Sequence, residues 1–494
     1  MKQALGKLYS RTSLHLLLFY MHISVFQGES KIFKKSQMSK KYFYQKLNPN
    51  DQKDTRMVGY LSTSLFVYQS WELHSVVNVC FMIFNCHCSF ELVESVPYDM
   101  PYESNSTTAK PLDQAWMGLL NMAQDRIHMV SYYWSLTGKD ISVNDSSSEK
   151  VKRKQKWLES LLMENVSVYI ATSFPTLAVK STDLNVLEAK GARVRRIDFG
   201  KLTNGVLHTK FWIVDMKHIY IGSANMDWRS LSQVKEVGAV IYNCSCLAQD
   251  LWKTFSTYWD VGHANASIPD PWPANYSTNI NKDRPLEVQF NGTLTKASPP
   301  AFCPKGRTHD LLSVISIIRD AQEYVYASVM DYFPTSRFTH PARYWPDIDD
   351  ALRSVAFTRK VRIRLLISCW LHTDPYMLHY LQSLRALNDP DTHISMEVKL
   401  FIVPVLNHTN IPYGRVNHNK YMVTDKVAYF GTSNWSEDYF TTTAGVGAPS
   451  SPLQRGATCP RSQSRLVAEQ GIELRCPTSL SNDLPSGLCR LVYS

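Results

Sequence analysis

Two stretches of this chain, roughly residues 110–262 and 305–445, run through the same order of elements, and this internal repeat limits the possible fold more than any other feature. Each begins with an amphipathic helical pattern, Gln114 to Ala123 and Asp310 to Ala321. Each then enters an apolar strand ending in aromatics, Ile127 to Trp134 and Tyr324 to Phe333. A helix and a β-branched run follow, Val166 to Thr172 and Val361 to Ser368, and then a further strand, Ala192 to Phe199 and Met396 to Val405. Strands alternating with helices predict an α/β fold in which each half is an α/β/α sandwich. The length, 494 residues, suits two such lobes. Ile268 to Pro285, with prolines at 269, 271 and 273, reads as the linker. The expected organisation is a divergent N-terminal region (1–87), a first lobe (88–267), the linker (268–285), a second lobe (286–447) and a divergent tail (448–494).

At the matching point of each half stands a paired motif. The first is His208-Thr209-Lys210, then Asp215, then Gly222-Ser223-Ala224-Asn225; the second is His418-Asn419-Lys420, then Asp425, then Gly431-Thr432-Ser433-Asn434. The apolar runs around each read as two short strands joined by a turn at the aspartate. Residues two apart on an extended chain share a face, so each histidine has a lysine beside it. A lone H-x-K is most often a solvated strand face. Two copies, each followed by G-[ST]-x-N at near-equal spacing in corresponding places of a repeat, point instead to a phosphodiester site. That chemistry needs a nucleophile, an acid for the leaving oxygen and several cationic or amide donors for the equatorial oxygens. His208, Lys210, Asn225, His418, Lys420 and Asn434 supply them, with no metal or cofactor called for. One neutral histidine attacks phosphorus while the other protonates the leaving alkoxide. Asp215 and Asp425 belong to the motif, but a strand-ending turn also explains them.

The formal charge of +10, from 53 basic and 43 acidic residues, is compatible with a polyanionic partner or an anionic membrane surface and selects neither. Ten cysteines include C-x-C pairs at Cys86/Cys88 and Cys244/Cys246, too tight and too poor in neighbouring ligands for zinc, so disulfides are expected. Glycosylation sequons at Asn105, Asn144, Asn165, Asn265, Asn275, Asn291 and Asn407 favour a lumenal protein. Two further sequons are discounted: Asn434 lies inside the second motif, and Asn243, next to Cys244, is expected to be buried. Leu16 to Phe26 follows a basic start and is shorter than the roughly 20 residues of a bilayer-spanning helix, reading as a signal segment or interrupted anchor. Val76 to Phe84 reads as a buried strand.

At these motifs the sequence resembles the phospholipase D superfamily, in which two H-x-K-x4-D motifs meet at one active site between two lobes. Gly205 to Tyr242, Ser131 to Ser148 and Arg415 to Gly447 look like the animal phospholipase D family member 3 and member 4 branch, nearer its member 4 side. The resemblance implies a 5′-to-3′ exonuclease acting on single-stranded DNA or RNA in endolysosomes, reached through the endoplasmic reticulum as a type II membrane protein. A phospholipid phosphodiesterase or transphosphatidylase is the alternative enzyme, an inactive lumenal glycoprotein the alternative outside enzymes, and a homodimer a further expected partner. By family habit His208 is the nucleophile, through a phosphohistidine, and His418 the proton donor. Asp425 stands where the branch more usually has glutamate. The resemblance also implies disulfides joining Cys88 to Cys244, Cys246 to Cys86 or Cys80, and Cys369 to a C-terminal cysteine such as Cys489. Aromatics near the motifs, Tyr132, Tyr133, Trp134, Trp228, Tyr332, Phe333, Trp435 and Tyr439, are expected mainly in the core, with two or three on substrate. Finally, Glu236 to Tyr242 and Leu247 to Tyr258 form a strand and helix after the first motif that the repeat requires again after Asn434. Ala448 to Ser494, rich in Ser, Pro, Arg and Gly, lacks both patterns, so the second lobe is expected to miss an edge strand and to be of low stability.

Overall fold

The computed structural model describes residues 88–100, 109–176, 181–287, 290–292 and 296–452, and there the repeat becomes two sheets of one design. The first contains β1 (Ser89–Ser95), β2 (Arg126–Ser131), β3 (Ser167–Ser173), β4 (Arg193–Ile197), β5 (Phe211–Val214), β6 (His218–Gly222) and β7 (Val234–Tyr242), in the spatial order β1-β7-β6-β5-β2-β3-β4. The second contains β8 (Phe290–Gly292), β9 (Tyr324–Val329), β10 (Arg362–Ser368), β11 (Met396–Phe401), β12 (Lys420–Thr424), β13 (Ala428–Gly431) and β14 (Gly445–Pro452), in the order β8-β14-β13-β12-β9-β10-β11. In both sheets three strands run parallel, and the motif hairpin, β5–β6 or β12–β13, joins them antiparallel.

The hairpin strands are continuously apolar because helices cover both faces of the first sheet. Trp212 and Val214 point to one side, against α1 (Leu112–Met122) and its Trp116. Phe211 and Ile213 point to the other, against α2 (Ser245–Val261) through Leu247, Leu251, Phe255 and Tyr258. The spacing of those four α2 residues is that of one helical stripe. In the second lobe, Val325, Ala327 and Val329 of β9 pack beneath α3 (Asp310–Asp320) and α4 (Asp347–Arg359). The opposite face meets the first lobe, where Tyr326, Tyr421 and Phe430 pack with Val237.

One expectation is corrected here. Ala448 to Pro452, assigned to a strandless tail, is the second half of β14. Gly, Ala, Pro and Ser are weak strand formers. Pairing on both sides overrides that weakness: β14 lies against β13 and against β8 and Lys296–Ser298, with Val446 and Ala448 buried on the first-lobe cluster. The second lobe therefore has its edge strand, while a counterpart of α2 would fall outside the described residues. The linker is strapped down: Ile268, Trp272 and Ile280 pack on the first-lobe core, and Trp272 Nε1 donates to the Ala301 carbonyl at 2.8 Å.

The Cys88–Cys244 disulfide ties the start of β1 to the residue before α2. Cys246 and Cys369 are also disulfide-bonded, while Cys80, Cys86 and Cys489 lie outside the described residues, as do Leu16 to Phe26, Val76 to Phe84 and Asn105. Asn144, Asn165, Asn265, Asn275 and Asn407 are exposed. Asn243 is exposed too, against expectation, because it turns out at a positive φ of 54° ahead of α2. Asn291 lies in β8, and Asn434 is buried. Among the described residues no helix is long and apolar enough to cross a membrane.

Candidate active site

Each motif's second element fixes its neighbour strand. The Ser223 hydroxyl accepts from the Val237 amide at 3.1 Å, and Thr432 Oγ1 accepts from Val446 N at 3.0 Å, clamping β6 to β7 and β13 to β14 at equivalent points. One residue earlier the motif glycines face glycines, Gly222 opposite Gly238 and Gly431 opposite Gly447. A Cβ on Gly238 would sit 2.7 Å from the Ile221 carbonyl oxygen, so this close approach requires glycine. β7 and β14 then reach across to the other lobe. His418 N donates to the Lys235 carbonyl at 2.9 Å, and His208 N to the Ala444 carbonyl at 3.1 Å. Each histidine is thus hung from the opposite lobe.

The two rings come together with centroids 6.4 Å apart, on a cavity of about 340 Å³ that both line. The Nδ1 of His208 lies 2.9 Å from the Thr432 carbonyl oxygen. A carbonyl only accepts, so Nδ1 carries the proton and Nε2 keeps its lone pair. The Nδ1 of His418 lies 2.9 and 3.1 Å from the carboxylate oxygens of Glu236. Here the repeat breaks its symmetry: alignment of Gly238 with Gly447 puts Gly445 where the first lobe has Glu236. A Cβ at 445 would lie 2.2 Å from Ser433 Oγ, so no carboxylate fits on the His208 side.

Both lysines are buried, and each ammonium donates to the carbonyl of its own histidine. Neither makes an ion pair among the described residues. Burial and Lys420 hold Lys210 well below its ordinary value, and burial pushes Lys420 down to about 7. Burial with Lys210 and Lys420 holds the His208 imidazole well below its usual range. Burial lowers His418 as well, against the pull of Glu236. Burial would raise Glu236, but His418 and Lys420 outweigh it and keep the carboxylate ionised. Asn225 lines the cavity, and Asn434 donates to Asp331 at 3.1 Å. The Oδ1 atoms of both asparagines are buried with no partner among the described residues. The whole is a desolvated cationic pocket, suited to an anion that supplies the missing charge.

Asp215 and Asp425, grouped with the catalytic set on motif grounds, do not line this cavity. Asp215 accepts the amides of Gln124, Asp125 and Arg126 at 2.8, 2.9 and 2.9 Å, and Asp425 those of Gln322 and Glu323 at 2.9 and 3.1 Å. They cap the turns that lead into β2 and β9. Of the aromatics, Tyr132 and Tyr133 line the cavity; Trp134, Trp228, Tyr332, Phe333, Trp435 and Tyr439 are buried. Tyr439 nonetheless packs on His208, with centroids 5.0 Å apart. Sequence reasoning missed Glu236, Arg229, Trp370 and Tyr413. A signal for Glu236 existed: Lys235-Glu236 interrupts an otherwise apolar strand.

With this geometry in view, residues 104–405 match the family model described as "PLD3/4, PLD-like domain". The chain belongs to that family. It is 54% identical over 413 residues to the mouse (Mus musculus) 5′-3′ exonuclease PLD4, covering 82% of each chain. Identity to the human (Homo sapiens) 5′-3′ exonuclease PLD4 is 54% over 81% of each chain. Identity to the Xenopus laevis 5′-3′ exonuclease PLD3 is 50%, over 77% of this chain and 78% of that one. The first motif, His208 to Asn225, lies within the matched residues.

Proposed function

We propose that this chain is a 5′-to-3′ exonuclease that hydrolyses single-stranded DNA and RNA by way of a phosphohistidine, in the lumen of endolysosomes. The observation that carries it is the meeting of both histidines on one cavity, with two buried ammonium groups acting on His208 that make no ion pair among the described residues. The named activity of the PLD4 and PLD3 relatives supports a nucleic acid as the ester, and the exposed sequons and the disulfides support an oxidising lumenal compartment. Type II anchoring and a homodimer are carried as parts of the same reading.

The broken symmetry between Glu236 and Gly445 supports one division of roles. His208, neutral and holding its proton on Nδ1, attacks phosphorus through Nε2. Lys210, Lys420 and Asn225 hold the equatorial oxygens, and Asn434, whose amide donates to Asp331 and Tyr439, orders the residues behind them. The bond to the leaving ester oxygen breaks, and His418, its imidazolium stabilised by Glu236, gives that oxygen its proton. Neutral His418 then takes a proton from water as the water attacks the phosphohistidine, releasing nucleotide and restoring His208.

The test is purified full-length protein at pH 5 with a 5′-hydroxyl single-stranded oligonucleotide labelled at its 3′ end, and separately with phosphatidylglycerol vesicles. The expected result is stepwise shortening from the 5′ end. Turnover of lipid alone would replace the nuclease reading with the phospholipid one, and turnover of neither would leave an inactive glycoprotein.

A further inference from the structure

One wall of the cavity carries aromatic rings that the chemistry above does not use. Trp370 and Tyr413 both line it, and His372 stands against both. The His372 and Tyr413 rings are stacked, 4.8 Å apart with 23° between planes, while Trp370 meets His372 edge-on at 4.8 Å. Trp370 is buried, but Tyr413 is 63% exposed, and with one face covered by His372 the exposure belongs to its other face and edge.

A lone exposed tyrosine is commonplace. Tyr413 differs in how it is held. Its φ is +56°, a conformation tyrosine rarely adopts. On its N-terminal side Ile411 is buried in the first-lobe core, and the Pro412 carbonyl accepts from Arg229 at 2.7 Å. Arg229, itself a cavity residue, is locked to Asp227. On the C-terminal side Arg415 N donates to the Gln233 carbonyl at 2.8 Å. Both neighbours of an exposed ring are thus pinned to the opposite lobe, which presents that ring at the cavity mouth without further ordering cost.

We infer that Tyr413, backed by His372 and Trp370, is the platform on which a nucleobase of the single-stranded substrate stacks while its phosphodiester lies between His208 and His418. This rests on the exonuclease reading above and deepens it. Stacking uses the π-face that every base has, so it tolerates any sequence. It also requires a base free of its neighbours, which selects single strands over duplex. Tyr413 is then a positioning residue: it sets substrate affinity without touching the reacting atoms.

The experiment compares wild type, Tyr413→Ala and Tyr413→Phe on two 5′-hydroxyl oligonucleotides, one normal and one abasic at its first two positions. Tyr413→Ala is expected to lower kcat/KM on the normal oligonucleotide by about 5- to 150-fold, through KM, the worth of one stacked base. Tyr413→Phe retains the wild-type value. On the abasic substrate, wild type falls by a similar factor and Tyr413→Ala falls no further. Equal loss on both substrates, or no loss on the normal one, overturns the platform while leaving the exonuclease reading intact. Wild-type protein that cleaves neither oligonucleotide overturns the exonuclease reading and the platform with it.

Discussion

At the scale of single residues, the two histidines are related by the repeat and separated by one substitution within it, Glu236 against Gly445. A carboxylate on Nδ1 favours the imidazolium, whereas a carbonyl fixes the tautomer of a neutral ring. Glu236→Gln removes the charge that works to raise His418, against the burial that lowers it. The acid form of His418 is then lost at lower pH, so the alkaline limb of the kcat profile is expected to move toward acid, with kcat at pH 5 reduced. A pH–rate profile of the variant checks this, and an unmoved limb would separate Glu236 from His418. The motif letters carried His208, His418 and Asn225 to one cavity, with Lys210, Lys420 and Asn434 buried outside its lining. They could not carry Glu236, Arg229, Trp370 or Tyr413, because those residues reach the site through cross-lobe pairing between stretches about 180 residues apart, such as Lys235 with Asn417. For Asp215 and Asp425, motif membership and proximity to the chemistry diverge: both are spent on backbone amides of distant turns.

At the scale of elements, the period of the sequence located most strands of the two lobes, because strands buried on both faces write themselves as apolar runs, while the helices Thr182–Ala189 and Tyr376–Arg385 went unread. β14 escaped because its stability comes from pairing and not from its residues. β1 and β8 escaped because they precede the stretches that repeat most visibly. β1 is the strand on which β7 lies, with Ser89–Ser95 paired to Glu236–Tyr242 and Lys110–Pro111 on its other side, and Cys88–Cys244 pins it there across 156 residues of sequence. Cys88→Ala with Cys244→Ala is expected to lower unfolding stability by about 2–5 kcal/mol, measured by denaturant titration. A loss well below that range would mean that the strand holds by hydrogen bonding alone. Since β7 carries Glu236, the same variant is expected to weaken activity even where it remains folded.

At the scale of the whole molecule, the two lobes make one site and each completes the other: β7 hangs His418, and Ala444, the residue before β14, hangs His208. Two buried carboxyls contribute stability on the acid side. Burial raises Asp310 to about 7 despite the hydroxyl of Tyr429, and raises Asp183 to about 6. Because both folded values lie above the unfolded one, their contribution is fully present below about pH 4 and is lost as pH rises through 6 to 7. The buried histidines, His128, His208 and His418 among them, are lowered and pull the other way, so the test is differential: relative to wild type, Asp310→Asn is expected to shift the change in melting temperature between pH 5 and pH 7.5 in favour of pH 7.5, and an unchanged pH dependence would contradict it. The central claim, that His208 attacks and His418 donates, is tested most directly by trapping. With a nucleoside p-nitrophenyl phosphodiester, whose leaving group needs no proton, His418→Ala is predicted to accumulate a nucleotidyl group on His208, located by mass spectrometry after alkaline quench. A nucleotidyl group found on His418 in the His208→Ala protein, with none on His208 in His418→Ala, would contradict the account.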